Sequence, residues 1–132
     1  MPSLIRLLSL AKRVRRRSPR YLVPAGEPLV VGVAVADPDG TRHTLIGSVR
    51  DVSETGLSIL LPEGETCRGL TAPGHPMAVV LMLPSGVIQL RAEVAHCSTR
   101  LGPRGGYLVG VRISEIASED HGRLAEYIGG RS

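Results

Sequence analysis

From Leu29 to Ala36 the chain carries a nearly continuous apolar run rich in valine, bounded by Pro28 and by Asp37-Pro38-Asp39-Gly40. A run this short, β-branched and closed by turn formers predicts a buried strand rather than a helix. Asp39-Gly40 predicts a hairpin turn, with a return strand from about Arg42 to Asp51. Leu57, Ile59 and Leu61 then recur at period two and predict a third strand. Met77 to Leu83 is apolar at every position, which predicts a fourth strand with something covering its outer side. In the fifth, Val87 to Cys97, Ile88, Leu90, Ala92 and Val94 share one face and Gln89, Arg91 and Glu93 the other. A sixth follows the glycine-rich stretch 102–106, with Tyr107, Val109, Val111 and Ile113 pointing inward.

The period changes after Ile116. Ser118 is placed to cap a helix, Glu119 and Asp120 fall in its first turn, and Leu124, Ala125 and Ile128 form its apolar side. Gly129-Gly130 ends it. Six short strands and one C-terminal helix predict an all-β fold, a six-stranded antiparallel β-barrel plugged or covered by that helix. Pro62 to Pro76 is the longest loop. Ahead of the barrel, Leu4, Leu7, Leu8 and Ala11 fall at helical spacing with Arg6, Lys12 and Arg13 among them. Residues 1–14 therefore read as an amphipathic basic segment that packs on the domain, a partner or a membrane surface, or as an organelle transit peptide. Residues 15–129 read as the barrel domain.

Composition narrows the class. The chain has 132 residues, enough for one domain with a real core. Hydrophobic residues make up 42%, but there is no Phe or Trp and only three Tyr, so the core must be aliphatic. Net charge is +4, while Arg6, Lys12, Arg13, Arg15, Arg16, Arg17 and Arg20 put seven positive charges in the first twenty residues. The attraction for anions is thus local to the N-terminal arm. No apolar run approaches the ~20 residues of a membrane span, and residues 1–14 lack the order of a secretory signal. Two cysteines without a framework of spacings point to a reduced, cytoplasmic setting.

Two stretches carry candidate chemistry. Arg15-Arg16-Arg17-Ser18-Pro19-Arg20 is an extended or turning loop, because Pro19 disfavours a helical Ser18. Arg16 and Arg20 are four residues apart, up to roughly 13 Å of extended chain, and guanidinium forks bind phosphate oxygens or the O6/N7 edge of guanine. Taken alone, the cluster reads as a solvated basic arm. Asp51-Val52-Ser53-Glu54-Thr55-Gly56 lies at the corner between the second and third strands. Asp51 and Ser53 share a face there, and Gly56 suits a positive φ or the close approach of a ligand.

Other readings are weaker. His43, His75, His96 and His121 are scattered, Cys67 and Cys97 lack zinc-ligand spacing, and no Gly-x-Ser-x-Gly elbow or P-loop is present. The chain is therefore not expected to be an enzyme or to need a metal or cofactor. Barrels that hold single-stranded nucleic acid use aromatic platforms, which this chain lacks, so nucleic acid is not an expected partner.

The spacing Arg16-x-x-x-Arg20 before the first strand, with Asp51-x-Ser53-x-x-Gly56 at the corner and six strands then a helix, resembles the PilZ domain family over residues 13–129. The resemblance implies a bacterial receptor for the second messenger cyclic di-GMP. It implies that Arg16 and Arg20 contact phosphates and the guanine O6/N7 edge, and that Asp51 accepts from guanine N1–H and the exocyclic amine. Ser53 would add a hydroxyl contact and Gly56 would let the backbone come close. Arg15, directly ahead of the motif, implies a stacked pair of ligand molecules. The mechanism implied is a switch that draws the arginine loop onto the barrel and signals to a downstream protein. The alternative is a PilZ-like docking adaptor that binds no nucleotide, using the Met77–Leu83 strand or the N-terminal segment. The chain departs from the family pattern at Ile113, where an aromatic is commoner, and in its long Pro62–Pro76 loop.

Overall fold

The structure, a computed structural model, describes residues 19–62, 72–99 and 106–130. The amphipathic segment 1–14, Arg15, Arg16, Cys67 and the middle of the Pro62–Pro76 loop lie outside the described residues. The elements are β1 (Tyr21–Leu22), β2 (Val30–Ala36), β3 (Arg42–Val52), β4 (Gly56–Leu61), β5 (Pro76–Leu83), β6 (Gly86–Thr99), β7 (Tyr107–Ile116) and α1 (Ser118–Gly129).

Six strands form a ring in the order β3-β2-β5-β6-β7-β4, and β4 pairs back onto β3 to close it. Every pairing is antiparallel. Closure pairs both edges of the six ring strands over most of their described length. This is the barrel and helix the sequence predicts, with one addition. β2 pairs with β3 only as far as Ser48. The freed edge is taken by β1, through Tyr21↔Val52 and Leu22↔Asp51. Two residues are too few to show a period, so the pattern gives no warning of β1.

Burial alternates on β2, so the run read as a buried strand buries Val31, Val33 and Val35 while Val30 and Ala34 are exposed. Val31, Val33 and Val35 meet Val79 and Leu81, with Ile88, Ala92 and Val94, Leu57 and Ile59, and Val109 and Val111 completing the interior. Each large aliphatic side chain so buried contributes about 1.5–3 kcal/mol of transfer free energy. Gly40 makes the β2–β3 turn at φ 90°, donating its N–H to the Asp37 carbonyl at 2.8 Å. Ile113 is partly buried against the core.

The expectation that β5 is covered on both faces fails. Its burial alternates, so Ala78, Val80 and Met82 are exposed, Met82 by 52%. Val87 on β6, paired with Met82, and Ile46 on β3, across β2, are exposed too. An unbroken apolar run cannot by itself distinguish two buried faces from one buried face and one open apolar face.

Helix α1 buries Leu124, Tyr127 and Ile128. Its start differs from the sequence expectation. Ala117, not Ser118, is the N-cap, and no side chain caps the first turn. Instead Asp120 reaches across, its Oδ2 accepting the backbone N–H of Gln89 at 3.1 Å. That bond ties the start of the helix to β6.

Adjacent positions on β5 should therefore respond differently. Leu81 is fully buried and Met82 half exposed. Leu81→Ala is expected to cost about 2–5 kcal/mol, and Met82→Gln to stay within about 0.5 kcal/mol of the parent, in urea denaturation.

Candidate functional site

In a regular strand, neighbouring side chains point to opposite faces. Along β3 that rule breaks between Val49 and Asp51, where the register with β4 shifts by a β-bulge at Arg50. Val49 lies in the core, Val52 returns to it, and Asp51 pairs with Ser58 of β4 on the outer wall. A bulge re-aims a side chain in this way. It brings Arg50 and Asp51 into contact although they are consecutive, with Arg50 Nε donating to Asp51 Oδ2 at 3.1 Å.

Asp51 is only 2% exposed. Besides Arg50, its carboxylate accepts from Ser58 Oγ at 3.0 Å and from Arg20 Nη1 at 2.5 Å, both at Oδ1. Burial alone would push the Asp51 carboxyl up. The hydrogen bonds from Arg20, Arg50 and Ser58, with the charge of Arg20, outweigh it and hold the group below the usual carboxylate range. Arg20 arrives from immediately ahead of β1, 31 positions earlier in the chain. The structure thus brings together one residue of the arginine cluster and one of the corner motif, while Arg15 and Arg16 lie outside the described residues.

Ser53 and Gly56 build the corner itself. Ser53 Oγ accepts the backbone N–H groups of Thr55 and Gly56, each at 3.2 Å, and Ser53 N donates to the Gly56 carbonyl at 2.8 Å. This is a side-chain-closed turn, and it leaves Ser53 buried. Gly56 does not use the positive φ that the sequence reading allows for, since it is not among the glycines with that conformation. It needs the absence of a Cβ, which would sit 2.5 Å from the Val111 carbonyl oxygen of β7. The corner is further fixed to β7 by Ile113 N donating to Thr55 O at 2.8 Å.

A cavity of about 450 Å³ opens beside this corner, walled by Arg20, Tyr21, Leu22 and Glu54 and by Ala125 and Ile128 of α1. That volume lies in the range of small-molecule sites. Two contacts join its walls. The Tyr21 and Tyr127 rings meet edge to face at 5.6 Å, which locks β1 to the helix. His121 of α1 approaches the Glu54 carboxylate at 3.4 Å. The sequence reading missed Arg50, Ser58 and both links. Only the unusual Arg-Asp step at the end of a strand hinted at the first.

The remaining histidines and Cys97 have local explanations. His43 pairs with Asp37 at 2.8 Å, and His75 Nε2 lies 2.6 Å from the Ala36 carbonyl oxygen. His96 lies on the barrel surface over Gly110, where a Cβ would strike its ring. Burial pushes the Cys97 thiol up, so it is a poor nucleophile at neutral pH. Among the described residues no three His, Cys, Asp or Glu side chains cluster as a metal site, and no helix is long and apolar enough to cross a membrane.

Comparison with known proteins gives one family and one fold. The PilZ domain family model matches residues 14–130. No curated protein matches the chain. Among solved structures, the PilZ domain of YcgR from Escherichia coli with c-di-GMP superposes with a TM-score of 0.67 at 21% identity, covering 89% of this chain and 91% of that one. The inhibitor of motility MotI/DgrA from Bacillus subtilis matches at TM-score 0.65 and 19% identity, over 89% of this chain and 50% of its own. The MrkH–c-di-GMP complex from K. pneumonia matches at 0.62 and 16%, over 83% and 49%. The chain spans about half the length of these last two. At such identities the superpositions establish the fold.

The pH dependence of stability follows from the sign of the Asp51 shift. Its folded pKa lies below the unfolded value of about 3.9. Its contribution is therefore fully present above that value and lost as pH falls through the folded one. The stability gap between wild type and Asp51→Asn, measured by urea denaturation, should hold near neutral pH and narrow below about pH 4. Ser53→Ala leaves two N–H groups of the corner without their acceptor, and should cost about 1–3 kcal/mol in the same assay.

Proposed function

The chain belongs to the PilZ domain family, and from that premise we propose that it is a receptor for cyclic di-GMP. The observation that carries the proposal is the Arg20–Asp51 pair. It joins the arginine cluster to the corner motif beside a cavity of suitable size. Two of the structures that share the fold also hold c-di-GMP, those of the YcgR PilZ domain and of MrkH.

Guanine suits both partners of this pair at once. Its N1–H and exocyclic amine are donors that can replace Arg20 on the Asp51 carboxylate. Its O6/N7 edge and the ligand's phosphates are acceptors for Arg20, together with Arg16 and Arg15 from the arm. Binding is thus an exchange in which one buried carboxylate and one guanidinium trade each other for a nucleotide. Ser53 and Gly56 take part mainly by holding the corner's shape, with Ser53 adding a hydroxyl at its edge. Charge-assisted hydrogen bonds contribute about 1.5–3 kcal/mol each. Three or four of them offset the ordering of the arm and leave micromolar affinity or better.

Arg15 extends the cationic surface, which suits a second, stacked copy of the ligand. Engagement of Arg20 also draws on β1 and hence on α1 through the Tyr21–Tyr127 contact. This gives ligand binding a route to other parts of the molecule and to a downstream partner. A second reading, a docking adaptor that binds no nucleotide, is favoured by the open apolar face around Ile46, Val80, Met82 and Val87.

Titration calorimetry separates the two. Wild type is expected to bind cyclic di-GMP in the micromolar range or tighter, and Asp51→Ala at least about tenfold more weakly. Binding of single-stranded DNA, which needs only the basic arm, should be the same for both proteins. A flat wild-type trace with cyclic di-GMP overturns the receptor reading and leaves the adaptor.

A further inference from the structure

The exchange described above creates a difficulty at Asp51. The carboxylate is almost wholly buried. When Arg20 turns to the nucleotide, Asp51 loses a cationic partner at the moment it must accept two hydrogen bonds. A buried carboxylate left with one neutral donor tends to take up a proton. Protonated, it can no longer receive both guanine donors.

We infer that Arg50 is a positioning residue that keeps the Asp51 carboxylate ionised and correctly aimed while Arg20 is engaged by the ligand. The inference rests on the receptor reading, and three features of the structure support it. Arg50 bonds Oδ2, whereas Arg20 and Ser58 both bond Oδ1. Departure of Arg20 therefore leaves one donor on each oxygen, Ser58 on Oδ1 and Arg50 on Oδ2. Each carboxylate oxygen has about two acceptor sites, so one remains open on each for N1–H and the exocyclic amine side by side.

Arg50 is also carried by the barrel, at a bulge in β3, and not by the arm that the ligand moves. The bulge itself serves this contact, because a regular strand would send Arg50 and Asp51 to opposite faces. Finally, Arg50 is the second guanidinium on Asp51. Among the described residues, the other ionisable groups about the corner have neighbours of their own. Glu54 faces His121 of α1 at 3.4 Å, and Arg112 of β7 bonds Glu93 at 3.0 Å. Ser58 from β4 does not titrate.

The test is a pH series of cyclic di-GMP titrations on wild type, Arg50→Gln and Arg50→Lys. The carboxyl carbon of Asp51 is followed in parallel by NMR in the ligand-free proteins. Arg50 is half exposed, so both variants should fold. The ratio of Arg50→Gln to wild-type Kd should grow by about threefold or more between about pH 7.5 and pH 5. The Asp51 carboxyl should titrate at higher pH in Arg50→Gln, and Arg50→Lys, which keeps the charge, should restore most of both readouts. The Glu54–His121 pair is common to all three proteins and cancels in the ratios.

A Kd ratio that is the same at every pH, with an unmoved Asp51 titration, means that Arg50 only shapes the bulge and overturns the inference. So does an Arg50→Lys protein as impaired as Arg50→Gln. If wild type does not bind cyclic di-GMP, the receptor reading falls. The NMR titration then still decides whether Arg50 holds the carboxylate ionised.

Discussion

A carboxylate removed from water must be matched by donors, and the outer wall of this barrel is arranged around that requirement at Asp51. Removing one partner of such a group exposes a desolvation cost larger than the value of the bond itself. The protein supplies three donors from three places: Arg50 from the same strand, Ser58 from the next strand, and Arg20 from the start of the described chain. Two of them are fixed by the barrel. The third comes from immediately ahead of β1. This division sets two donors of the barrel beside one from the chain ahead of β1 on a single carboxylate.

The barrel contributes rigidity and the helix contributes connection. The corner 53–56 is closed by its own serine, pressed against β7 by a glycine that leaves room for a carbonyl oxygen, and tied to β7 through Thr55. None of this has to move for the carboxylate to change partners. Among the described residues, β1 pairs with β3 through Tyr21↔Val52 and Leu22↔Asp51 and meets α1 through the Tyr21–Tyr127 contact. The other end of the helix is fastened to β6 through Asp120.

Much of this was legible in the sequence. Strands β4, β6 and β7 are legible from period-two alternation, β2 and β5 from short apolar runs closed by turn formers, and the helix from the change of period after Ile116. That the arginine cluster and Asp51 belong to one site is expected through resemblance, each as a contact to a ligand, but their direct ion pair is not, since nothing in spacing alone brings Arg20 to a residue 31 positions away. What stayed hidden has a common cause. A bulge breaks alternation, so Arg50 appeared to point away from Asp51. A two-residue strand has no period, so β1 was invisible. The apolar run of β5 could not reveal that its own outer residues, Ala78, Val80 and Met82, are open to solvent. Ser118 resembled a cap, but the turn it begins is held through Asp120 and Gln89 instead.

The central claim is that Arg20 and Asp51 are energetically coupled in the folded protein. A double-mutant cycle on unfolding free energy, using Arg20→Ala, Asp51→Ala and the pair, measures that coupling without any ligand. The account predicts a coupling of about 0.5 kcal/mol or more, with Arg20→Ala costing little once Asp51 is gone. Strictly additive effects would mean that the two groups are neighbours only, and would contradict it.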